Sequence, residues 1–162
     1  MENLGTLVIN KLRSDLEHNK ISLADAIVKA LPILKDKHND ATMSWLSNEL
    51  QGYSNPLNFY YQADHSFPPY RIVSGSLKLM TKEGNLVNVE HPLSDRSKYF
   101  LSAPVSWLEE SNSLPGEDMC YTEMSELSHD KSSGEVVVLA YTHRQLQATL
   151  AEIKKRLIAL LK

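Results

Sequence analysis

Cysteine is almost missing from this chain. Among 162 residues only Cys120 carries a thiol. No disulfide can close within the chain, and a cysteine-based zinc site would lack partner ligands. That usage fits a reducing cytoplasm. Glycine is sparse as well. Its six residues are scattered and make no Gly-rich phosphate loop, and no Gly-x-Ser-x-Gly elbow is present to support a serine nucleophile. Long apolar runs are lacking, since none approaches the roughly 20 residues needed to span a bilayer. The N-terminal MENLGTLVINKLRSDLEH has no basic-then-apolar signal layout. An excess of positive charge is missing too. The formal net charge of −3 argues against a general nucleic-acid coat. What is present is a 42% hydrophobic composition at the length of one domain, enough for a core without covalent staples.

The periodicity predicts an N-terminal helical part over 1–53. Leu4, Leu7, Val8, Leu12 and Leu16 recur at helical spacing over 3–18. Ser22 with Asp25 reads as a capping box for a second helix, striped by Leu23, Ile27, Ala30, Leu31 and Leu34. Pro32 inside that stripe predicts a kink or break. A third helix is expected from a cap at Asn39 or Asp40 to Gly52. Residues 54–69 read as irregular and aromatic. A mixed β/α part follows over 70–141. Leu77 and Leu79 face Val87 and Val89 in a predicted hairpin, and their odd numbering favours an odd loop around Glu83, Gly84 and Asn85. Gly75 reads as a bulge. SAPVSWLEE predicts a short helix with Ser102 as cap and Pro104 in its first turn, and EVVVLAY (135–141) predicts a buried strand. Residues 111–119 and 128–134 read as loops. Thr142, with Gln145 as capping-box partner, opens a long final helix over 142–162. The expected fold is α+β: a single domain over 1–162, with the helical segment packed on a small antiparallel sheet.

One position breaks the pattern. At 100° per residue, Trp45, Leu46, Leu50 and Tyr53 share a face of the third helix, and Glu49 sits in the middle of it. An unpaired carboxylate there would cost several kcal/mol or take up a proton. Arg71 is the expected partner, since a guanidinium meets a carboxylate with two parallel hydrogen bonds. Tyr53 or Tyr70 can add a hydroxyl. Such a pair either pins the helix to the first strand or lines a pocket.

Other chemistry is thin. The six histidines form no metal-ligand or catalytic motif, and we expect neither metal nor cofactor. His65, beside Asp64 and the aromatic stretch, could act as acid or base if the fold brings it near Glu49. Glu117, Asp118, Glu123 and Glu126 read as a solvated acidic loop without calcium-loop order. Lys154, Lys155 and Arg156 read as a solvated helix face. On the final helix, Leu146, Leu150, Ile153, Leu157 and Leu160 follow 4-3-4-3 spacing. That seam either packs on its own domain or is shared with a second copy or another subunit.

Trp45-x-x-x-Glu49-Leu50-x-Gly52-Tyr53, followed by Pro69-Tyr70-Arg71, resembles the signature of the AbiTii domain. The likeness extends to two N-terminal helices, a β region opening at Tyr70-Arg71, a short helix from Pro104 to Glu109 and a long final helix. The resemblance implies a role in bacterial abortive-infection defence against phage, without a defined reaction. Family members often continue into a further C-terminal region, so a chain ending at Lys162 is expected to lack any activity housed there. The leading expectation is a non-catalytic interaction or regulatory module. Its partner would be a second copy or another defence protein, bound through the final helix and without a membrane. The alternatives are a defence effector enzyme, nucleolytic, with Glu49, Arg71, Tyr53 and His65 at its pocket, or a sensor stacking a nucleobase on the Tyr60–Tyr70 aromatics.

Overall fold

The computed structural model describes residues 4–61, 67–111, 118–127 and 134–162. Six α-helices and five strands are described: α1 (Leu4–Glu17), α2 (Leu23–Leu34), α3 (Asp40–Gln51), α4 (Asn58–Tyr61), β1 (Ile72–Met80), β2 (Leu86–Asn88), β3 (Lys98–Phe100), α5 (Val105–Ser111), β4 (Met119–Glu123), β5 (Val136–Thr142) and α6 (His143–Leu160). Helix starts follow the expected caps. The Ser22 hydroxyl accepts from the Asp25 amide, the Asn39 side chain from Thr42, and the Thr142 hydroxyl from Gln145. Helix α2 is continuous through Pro32 and ends two residues later, so proline marks its last turn without breaking it.

The sheet is antiparallel throughout, in the order β2-β1-β5-β4. Strand β3 pairs with the start of β1, Ile72 opposite Phe100. The β1–β2 hairpin sets Leu79 opposite Val87, with an odd loop centred on Glu83, as the odd numbering requires. Gly75 is not a bulge. The β1–β5 register runs unbroken from Gly75 opposite Tyr141 to Met80 opposite Val136. Glycine is there for closeness, since a Cβ would lie 2.4 Å from the Ala140 carbonyl oxygen. Val73, not Ile72, takes the inward phase with Leu77.

Two apolar clusters fill the interior. One lies against the sheet and includes Val73, Leu77, Tyr99, Leu139 and Tyr141; the other joins α1, α2, α3 and α6 through Leu16, Ile27, Leu46 and Leu157. Helix α6 serves both. Leu146 enters the sheet cluster, Ile153 and Leu157 the helical one, and Leu150 packs against each. Of the two readings of the seam, these contacts are those of packing on its own domain. Leu146, Ile153 and Leu157 are buried in the chain's own core, and Leu160 is half-buried beside them, so the stripe already has its covering. Helix α1 differs. Leu12 and Leu16 are buried, but Leu4, Leu7 and Val8 are 77, 52 and 43% exposed.

Three further expectations are revised. Helix α5 starts at Val105, so Pro104 stands just before it, and the Ser102 hydroxyl donates to Glu126 (3.2 Å) rather than capping. Gln145 does not close a capping box; its amide bonds both backbone groups of Ser74 at 2.8 Å and so extends β5 along the edge of β1. In the expected 111–119 loop, residues 112–117 lie outside the described residues and Met119 already begins β4. Of the expected 128–134 loop, only Gly134 is described.

Candidate functional site

Glu49 and Arg71 meet inside the protein, both with no exposed side chain. Helix α3 carries Glu49 on its inward face. The 3-10 turn Pro69–Arg71, entered through Pro68, aims Arg71 back at it just before β1 begins. The pair is bidentate. Arg71 Nη2 donates to Oε1 at 2.8 Å and Nε to Oε2 at 3.0 Å. Arg71 Nη1 donates to the carbonyls of Leu101 (2.6 Å) and Ala103 (2.7 Å), just after β3. Glu49 Oε2 also accepts from the hydroxyls of Tyr53 and of Tyr70, the latter at 2.7 Å. The Trp45 indole N–H in turn donates to the Tyr70 oxygen at 2.7 Å. The Arg71 guanidinium lies 5.0 Å from the centre of the Tyr53 ring.

Backbone geometry holds the cluster shut. Gly52 ends α3 at φ +94° and ψ 163°, a region essentially reserved for glycine. The turn lets the Tyr53 amide reach the Ser102 carbonyl at 2.9 Å, while Leu101 N–H bonds the Arg71 carbonyl at 2.8 Å. The motif residues thus join α3 to the start of β1 and to the segment between β3 and α5. Burial first, and the Glu49 carboxylate second, raise the Tyr53 and Tyr70 phenols well above the ordinary range. Both remain protonated donors and neither is a nucleophilic phenolate. The oxygens of Glu49 and the nitrogens of Arg71 are engaged within the chain.

The other candidates separate from this cluster. His65 and Asp64 lie outside the described residues. The aromatics proposed to stack a base are mostly occupied. Tyr60 is buried, with its hydroxyl accepting from the Phe100 amide (3.1 Å); Phe67 is buried against Phe100; Tyr70 lies under Arg156, 4.8 Å from its ring centre. Of the described aromatics in that stretch, only Tyr61 is exposed. Cys120 is buried, its thiol donating to the Tyr141 carbonyl at 3.5 Å, and burial raises it away from the reactive thiolate. No group of three or more His, Cys, Asp or Glu among the described residues is placed to hold a metal.

Two roles escaped the sequence pattern. Glu109 of α5 accepts from the amides of Leu23 (2.8 Å) and Ala24 (3.1 Å), supplying a carboxylate to the N-terminus of α2 across 86 residues of chain. Glu126, expected in a solvated loop, sits in the 3-10 turn Ser125–Leu127 with burial raising its carboxyl above the usual range. It borders an open cleft of about 550 Å³, walled in part by Gly52, Tyr53, Pro104 and Trp107, directly outside the Glu49–Arg71 cluster.

A helical layer pinned to an antiparallel sheet by an internal Glu–Arg–Tyr cluster defines the class: an α+β domain whose polar signature residues converge within it. The chain belongs to the AbiTii family, whose model matches residues 7–158, nearly its whole length. The family's name points to abortive infection, a form of defence against phage. No curated protein and no solved structure matches the chain. No described helix is long and apolar enough to cross a membrane.

Proposed function

We propose that this chain is a non-catalytic protein-interaction or regulatory module of an abortive-infection defence system. The observation that carries the reading is the closed hydrogen-bond network around Glu49 and Arg71. Its partners are inside the chain, and its two tyrosines are held protonated. A catalytic cluster needs a reactive group within reach of substrate. This one has the character of an internal brace, so the work falls to the surface.

The surface with the strongest case for self-association is the outer face of α1. Leu7 and Val8 are exposed together in a shallow groove with Lys11, Leu12, Asp15 and, from α2, Lys29. In an isologous contact each copy offers the same patch to the other, and the Lys11–Asp15 ion pair at its rim, 3.2 Å, is already made within α1. A second copy is the occupant we assign there, in place of the α6 seam.

The test has two arms. Light scattering at tens of micromolar is expected to give a dimer for the chain and a monomer for Leu7→Glu, with unchanged circular dichroism. A strict monomer in both removes self-association. The purified chain is expected to leave DNA and RNA intact with and without divalent cations. Cleavage that disappears in a folded Arg71→Ala variant would replace this reading with the effector-enzyme one.

A further inference from the structure

The cleft outside the Glu49–Arg71 cluster has an unusual charge balance. Among the described residues, Glu126 is the one charged side chain that lines it. Glu126 is half-buried, accepts from the Ser102 hydroxyl at 3.2 Å, and makes no ion pair with any described Lys or Arg. Glu123, of like sign, also acts on it. A carboxylate so placed is under-compensated, and burial pushes its carboxyl up accordingly. Trp107 lines the same cleft and is 37% exposed, where most aromatics of the chain are covered. The amide side chains of Asn48 and Gln51 also line it and make no hydrogen bond among the described residues.

These features select a ligand by chemistry. An anion is disfavoured, because no described Lys or Arg lines the cleft and Arg71 behind it donates inward. A metal ion would find one carboxylate and no described cluster of ligands. An organic cation finds a negative group and an aromatic face together, the pairing that recognises ammonium and guanidinium. The two free amides add donors and acceptors that suit a peptide backbone and that a simple amine would leave unused.

We infer that this cleft binds a lysine or arginine side chain presented by a partner polypeptide, the cation against Glu126 and the alkyl stem along Trp107. The inference rests on the interaction-module reading and gives the partner its chemistry at one place. It assigns Glu126 and Trp107 as recognition residues, with Asn48 and Gln51 holding the flanking backbone.

The test is a titration of the full chain, labelled with nitrogen-15, with three probes: the blocked pentapeptide Ac-Gly-Ser-Lys-Ser-Gly-NH2, the same peptide with Glu for Lys, and n-butylammonium. The lysine peptide is expected to shift the Trp107 indole resonance saturably in the millimolar range and leave the Trp45 indole unmoved. The glutamate peptide should not, and Glu126→Gln should weaken the lysine peptide at least several-fold. Equal binding of both peptides, or no Trp107 response to the lysine peptide, overturns the inference. Butylammonium binding as tightly as the peptide would overturn the polypeptide assignment in favour of a free amine. None of these results touches the α1 contact or the absence of cleavage, so the interaction reading stands or falls separately.

Discussion

Replacing either member of the buried pair is expected to cost a large share of the domain's stability, and replacing both is expected to cost less than the sum. Glu49→Leu leaves the Arg71 guanidinium fully buried with no counter-charge and the Tyr53 and Tyr70 hydroxyls without their acceptor. Arg71→Met strands the carboxylate and frees the Leu101 and Ala103 carbonyls. Breaking one side of a buried pair typically costs about 3–5 kcal/mol. A domain of this size holds roughly 5–15 kcal/mol in total. With a urea slope of about 2 kcal/mol per molar, each single variant should move the unfolding midpoint down by about 2 M. The double variant removes both charges. It keeps the penalty for unpartnered hydroxyls and carbonyls, about 1–3 kcal/mol per group that stays dry. A double-mutant cycle should therefore return a coupling on the order of 2–3 kcal/mol. Urea titration followed by circular dichroism measures it. Singles that lose under about 1 kcal/mol, or strict additivity, would refute the reasoning.

Three other substitutions probe the supports. Gly52→Ala should cost about 1–3 kcal/mol, because the position has φ +94° and a Cβ would press the Ser102 carbonyl at 3.0 Å; thermal melting checks it. Glu109→Gln keeps the shape but removes the charge from the α2 N-terminus, and a loss of about 0.5–2 kcal/mol is expected, shrinking at high salt. Glu126 works in the opposite sense. Its folded carboxyl titrates above its unfolded value because of burial, so its favourable contribution is present at acid pH and lost as pH rises through the folded value. Glu126→Gln should accordingly melt higher than the parent at neutral pH and equal it below the unfolded carboxylate range. A variant less stable than the parent at neutral pH would show that burial does not govern this group.

Much of the architecture could be read from spacing. The caps at Ser22, Asn39 and Thr142 are local, and the hairpin register follows from the parity of Leu79 and Val87. Glu49 betrayed its partner because a charge on an apolar face has few solutions, and Arg71 was the donor of the right shape. What stayed hidden depends on tertiary context. Strand β3 has three residues, too few to show a period. Strand β4 points Cys120 and Thr122 inward, and a buried threonine hides the alternation; its hydroxyl is satisfied by Tyr141, 2.8 Å away on β5, and by Ser111 of α5 at 3.3 Å. The α6 stripe announced an apolar face without saying what covers it. Glu109 and Gln145 act on backbone groups 86 and 71 residues away, beyond any local pattern.

The central claim is that the Glu49–Arg71 cluster holds the fold and performs no chemistry. Tyr53→Phe tests it most directly, because it removes one hydroxyl bond from Glu49 while leaving Arg71 and Tyr70 in place. The measurement is phage protection in the native host by this variant, at a temperature where circular dichroism shows it folded. Undiminished protection is the expected result. A folded Tyr53→Phe chain that no longer protects would contradict the account.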